Sequence, residues 1–99
     1  MITKIETIGE VKVFAKELIA EGVSFHPDDD FNYFVNLKEN KPYYTIEEGD
    51  LRNKLMNKCF EVCEKEGVDI YDVTLEVTLI ETGMDKFIPL PSQPYPENN

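Results

Sequence analysis

His26, Asp28, Asp29 and Asp30 form the densest cluster of chemically capable side chains in the chain. An imidazole titrates near neutral pH, and carboxylates beside it favour the charged form, which is the raw material of general acid–base chemistry. No nucleophile is set beside it by spacing. Ser24 stands two positions away on an expected loop, and neither cysteine can be located relative to the histidine. A histidine followed by Pro27 reads more simply as a turn residue, so no catalytic residue is assigned and the chain is read as a non-enzyme, with a small enzyme using His26 as the remote option.

The same acids offer a second chemistry. Counting from Asp28, oxygen donors recur at loop positions one, three, five and nine (Asp28, Asp30, Asn32, Asn36), and Glu39 falls at position twelve. That is the ligand order of a calcium-binding EF-hand loop. Two residues oppose it. Tyr33 stands where such a loop turns on glycine, and Pro42 blocks the helix that should follow. A divalent-cation site built on Asp28, Asp30, Asn32 and Glu39 is therefore the alternative reading. The simpler one makes these acids the first turn of a short helix spanning His26 to Asn36.

Arg52, the only arginine, is the third candidate. With successive residues about 100° apart on a helix it falls between Leu55 and Met56, inside an apolar face. Its stem is expected to pack while its guanidinium pairs with a carboxylate of the Asp28–Asp30 cluster. The competing role is an anchor for an acidic ligand or partner. Cys59 and Cys63 read as a reduced pair of small core residues, and with one histidine they are too few for a zinc site. The scattered glycines make no phosphate-binding loop, and no cofactor is expected.

Three helices must position these groups. Thr7 with Glu10, and Thr45 with Glu48, are capping-box pairs, and Gly22 and Gly67 mark the corresponding stops. In the first helix Ile8, Val11, Phe14, Ala15, Leu18 and Ile19 share one arc, with Glu10, Glu17 and Glu21 opposite. In the second, Leu51, Leu55, Met56, Cys59, Phe60, Val62 and Cys63 cover a wide face, as a helix lying between two neighbours requires. Ile70 to Thr82 gives two answers. At period two it alternates like a strand, whereas at period 3.6 Ile70, Val73, Val77, Ile80 and Met84 make a stripe, with Asp69 as N-cap and Gly83 after the end. Few segments could pair with a lone strand, so the helix is preferred. It leaves Tyr71, Leu75 and Leu79 on its far side, to be covered by a partner, by a second copy of the chain, or by the aromatic segment Phe31 to Tyr44. Leu37 to Tyr44, with Lys41 and Pro42, is expected to be a loop.

The chain has 99 residues, 20 acidic and 10 basic side chains, and a net charge of −10. Phosphate-backbone binding and anionic membrane surfaces both demand the opposite sign. The charge is uneven: residues 28–48 and 67–86 each sum to −4, while 49–66 is neutral. No apolar run is long enough to span a bilayer, and Met1 to Ile8 lacks the features of a signal peptide, so a cytoplasmic location is expected. The resulting picture is a mainly α single domain over residues 1–87, with three longer helices and one short one, and an extended Pro-rich tail over 88–99. The alternative is α+β with residues 70–80 as a strand. The expected function is an acidic protein–protein interaction or regulatory module of the inhibitor, antitoxin-like or adaptor kind. It would meet a basic protein partner, or form a homodimer, through Arg52, Tyr71, Leu75 and Leu79, without nucleic acid or membrane.

Overall fold

The structure, a computed structural model, describes residues 1–91. Among them three α-helices carry the fold: α1 (Ile8–Ala20), α2 (Ile46–Glu66) and α3 (Ile70–Glu81). Both capping boxes form. Thr7 Oγ1 accepts the Glu10 N–H at 3.2 Å, and Thr45 Oγ1 accepts the Glu48 N–H at 3.1 Å, with each glutamate reaching back to the cap backbone. Gly22, Gly67 and Gly83 all adopt positive φ where these helices end. At the end of α2 the Val68 N–H returns to the Cys63 carbonyl at 3.0 Å, which satisfies an orphan acceptor and lets the chain reverse into α3.

The helical reading of residues 70–81 holds. Asp69 caps it by accepting the Tyr71 N–H at 2.8 Å. Half of its residues are β-branched, and the threonines deal with this by turning inward on their own backbone. Thr74, Thr78 and Thr82 each hydrogen-bond the carbonyl four residues earlier, at 3.0, 2.9 and 2.7 Å, which removes three hydroxyls from competition with solvent.

α1 packs against both α2 and α3. The main core joins Val11, Phe14 and Leu18 of α1 to Leu55, Met56, Cys59, Val62 and Cys63 of α2 and to Ile70 and Val73 of α3. Ile5, from the extended N-terminal segment, is buried with them, and that segment is pinned where the Ile2 N–H meets the Glu17 carboxylate. Full burial of such side chains contributes about 1.5–3 kcal/mol each.

Three expectations are corrected. His26 to Asn36 is not a short α-helix. It forms a turn and then a 3-10 turn, Phe31–Tyr33, because the carboxylates of Asp29 and Asp30 bond nearby backbone amides and offer the chain a local alternative to helix. Leu37 to Tyr44 is not a plain loop. Val35–Asn36 (β1) pairs antiparallel with Lys41–Pro42 (β2), Val35 opposite Pro42, and Asn40 at φ 54° supplies the left-handed turn. Pro42 is tolerated because both strands are edges. Leu79 is not on the open side of α3: it is 7% exposed, outside the main core, near the point where the chain reverses at Gly83 into a second 3-10 turn, Met84–Lys86. The aromatic segment packs on α2 through Phe31–Tyr33, and Tyr71 and Leu75 of α3 stay exposed. Of the tail expected over 88–99, residues beyond Pro91 lie outside the described residues.

Candidate functional site

The loop from His26 to Asp30 is held from below by α2. Asn53 accepts the Phe31 N–H at 2.9 Å through Oδ1 and donates to Asp30 Oδ1 at 2.8 Å through Nδ2, which clamps both ends of the loop's exit to one amide. Phe31 fills the space beneath, fully buried, with the rings of Phe34, Tyr44 and Phe25 within 4.8 to 6.4 Å. The acids are thereby fixed in place on a rigid support. Each is also partly engaged. Asp29 accepts the His26 N–H at 2.7 Å, Asp30 Oδ1 also takes the Asn32 N–H at 3.0 Å, and Asp28 Oδ1 accepts the Tyr71 hydroxyl at 2.7 Å.

That last bond ties the loop to α3. His26 stacks obliquely on Tyr71 at 5.1 Å, its Nδ1 lies 3.4 Å from Asp28 Oδ2, and Phe60 meets Tyr71 edge-on at 6.3 Å. The bond to Asp28 raises the Tyr71 phenol above its ordinary value, helped by desolvation and by the charges of Asp28 and Asp69. His26, Asp28 and Tyr71 are therefore linked, and two grooves adjoin them. One, of about 340 Å³, is lined by Asp28, Asp29, Asp30, Asn53, Asn57, Met56 and Phe60. The other, of about 300 Å³, is lined by Phe25, His26, Tyr71, Thr74, Leu75 and Thr78. Pro27 borders both, and among the described residues no lysine or arginine lines either. A larger cleft of about 490 Å³ between α1 and the start of α3 sets Lys12 among Asp69, Asp72 and Glu76, so a lysine stands among its acids, unlike in the groove of Asp28, Asp29 and Asp30.

Arg52 has a different place from the one expected. It is 6% exposed, and its partner is Glu21 at the end of α1, not an acid of the 28–30 cluster. Nε donates to Glu21 Oε1 at 3.2 Å, the terminal nitrogen Nη2 to Oε2, and Nη1 to the Glu48 carbonyl at 3.0 Å. Its guanidinium carbon sits 4.2 Å over the Tyr44 ring, and the Tyr44 hydroxyl donates to Glu21 Oε1 at 2.9 Å. Burial, and then the Glu21 carboxylate it faces, push the Tyr44 phenol well above its ordinary value. Burial works against the Arg52 charge, but Glu21 and Tyr44 outweigh it and hold the cation more firmly than usual. An arginine committed on these sides is a fold element.

No family model, curated protein or solved structure matches the chain.

Function must therefore be read from these residues themselves. Tyr71 and Leu75 share the apolar groove and are 39% and 49% exposed, while Leu79 has turned inward. The four candidate cation ligands do not converge as a loop would require. Asp28 faces Tyr71, Asp30 faces Asn53, Asn32 Nδ2 donates to Asp50 at 2.8 Å, and Glu39 is exposed in the hairpin turn. Among the described residues no three His, Cys, Asp or Glu side chains form a group able to hold a metal ion. Cys59 and Cys63 are free and buried, and burial pushes the Cys59 thiol up to about 12. A thiol so rarely ionised is a poor nucleophile. Also among the described residues, no helix is long and apolar enough to cross a membrane.

Sequence reasoning overlooked Asn53 and Glu21. Asn53 had one available signal: an asparagine in the interior of a helix is unfavourable unless its amide has a task. Glu21 had none, because its partner is 31 residues away.

Proposed function

We propose that the protein is an acidic interaction module that engages a protein partner through the face made by the His26–Asp30 loop and α3. The observation that carries this reading is the pairing of exposed Tyr71 and Leu75 with an adjoining groove of three carboxylates that, among the described residues, no lysine or arginine lines. Apolar side chains left open on an ordered helix favour association, and fixed charge beside them selects the sign of the partner. A basic partner fits better than a second copy. A two-fold axis through this face would bring Asp28, Asp29 and Asp30 of both copies toward one another, and like charges oppose such an interface.

The test is paired capture from native lysate with the wild-type chain and with Leu75→Glu, whose side chain changes on the exposed side of α3. A protein retained stoichiometrically by the first and lost by the second supports the face. Equal retention by both, or none by either, removes it.

A further inference from the structure

The two grooves differ in chemistry and share a rim. The apolar one holds Tyr71 and Leu75. The acidic one has an apolar floor, Met56 and Phe60, beneath its carboxylates. Acids over an apolar floor match a side chain that is itself apolar along its stem and positive at its tip, which describes lysine and arginine. The carboxylates have acceptor capacity left. Asp29 uses Oδ2 for the His26 amide and Asp30 uses Oδ1 for Asn32 and Asn53, leaving Asp29 Oδ1 and Asp30 Oδ2 outside these bonds. Asp28 gives Oδ1 to Tyr71 and keeps Oδ2 at 3.4 Å from His26 Nδ1, longer than a good hydrogen bond.

We infer that the partner of this face presents an extended segment in which a lysine or arginine stands within two positions of a large apolar residue. The cation enters beside Asp28, Asp29 and Asp30, and the apolar side chain lies between Tyr71 and Leu75. The spacing follows from how closely the grooves adjoin. Pro27 lines both and the Tyr71 hydroxyl of one meets the Asp28 carboxylate of the other at 2.7 Å, which suits side chains two apart on an extended chain, since these project to the same side about 7 Å from each other. This inference rests on the proposed interaction face and adds to it the identity of what the face selects. The net charge of −10 draws such a segment in from solution, and the apolar groove holds it once there.

A display library of short random peptides, selected on the wild-type chain, tests it. Enriched peptides are expected to carry Lys or Arg within two positions of Leu, Ile, Met or Phe. Binding of an enriched synthetic peptide should fall at least about tenfold on the triple variant Asp28→Asn, Asp29→Asn, Asp30→Asn, and should weaken as salt is raised. The asparagines keep an acceptor oxygen for the loop's bonds while removing the charge, and circular dichroism verifies that the fold is kept. Should the triple variant unfold, the salt dependence and the peptide sequences decide alone. Peptides without basic residues whose binding is lost on Leu75→Glu would overturn the inference and leave the face standing. Enrichment that ignores Leu75→Glu, or no enrichment at all, would overturn both.

Discussion

Arg52 on α2 and Glu21 at the end of α1 lock the two helices together, with Nε on Oε1 at 3.2 Å and a second parallel bond from Nη2. Tyr44 closes the third side, so one residue from each of three segments meets at a single charge pair. Removing one member of a largely buried pair leaves the other without compensation. Arg52→Ala is expected to lower unfolding free energy by about 2–4 kcal/mol, part of it lost stacking on Tyr44. Glu21→Gln should cost less, because the Glu21 side chain is 28% exposed and water can reach it. Urea denaturation of both single variants and the double variant measures the coupling. Additive losses would contradict the pair.

Gly49 lies in the first turn of α2 against Asn32. A Cβ built there would stand 2.0 Å from Asn32 Oδ1 and 3.2 Å from its Cα, so the helix-favouring change Gly49→Ala should destabilise, by roughly 1–3 kcal/mol. Truncating the obstacle tests the cause. In an Asn32→Ala background the same substitution should cost measurably less, although the Asn32 backbone still crowds the site. A Gly49→Ala variant that melts at or above the wild-type temperature would show that the contact is not tight.

Two buried groups make the fold sensitive to alkali. Burial raises the Cys59 thiol from an ordinary 9 to about 12, and Tyr44 is raised by burial and by Glu21. A group whose folded value lies above its unfolded value stabilises fully below the unfolded value and loses that contribution as pH rises toward the folded one. From neutrality stability should therefore be flat up to about pH 9 and decline above it. Denaturant midpoints measured across that range check this. Native Cys59 should also resist alkylation at pH 8 until denaturant is added.

The start of α2 carries the opposite pH dependence. The Glu48 carboxyl is held below its ordinary value by the Thr45 backbone N–H first and its hydroxyl second. Its contribution is present above the unfolded carboxylate value and disappears as pH falls through the folded one. Thr45→Ala should cost about 1 kcal/mol near neutrality, the usual worth of an N-cap. It should also flatten the acid limb of a stability–pH curve. The backbone N–H survives this change, so an acid limb identical to wild type would argue that the Thr45 hydroxyl does not hold the Glu48 carboxylate.

The helices were legible because their signals are local. Thr7 with Glu10, Thr45 with Glu48, and Asp69 before Tyr71 all declare themselves within four residues, and the structure uses each of them. The segment from His26 to Tyr44 was not legible in the same way. Its acids suit a helix start, but their side chains bond backbone amides two and three positions away, and no periodicity records that choice. The site itself was half visible. Tyr71 and Leu75 stood out as apolar residues without cover. That Asp28 would reach Tyr71 across 43 residues depends on how the loop docks on α2, and Asn53 settles that through contacts no spacing reveals.

The threonine ladder of α3 has a consequence for time as well as shape. A segment half composed of β-branched residues has little helicity of its own, so it stays helical because α1 packs against it. Its amides should therefore exchange with deuterated solvent sooner than those of α2. The same helix supplies Tyr71 and Leu75. Whatever settles on that face steadies the least autonomous part of the molecule, and occupancy should register as slowed exchange along α3 even if no atom moves far.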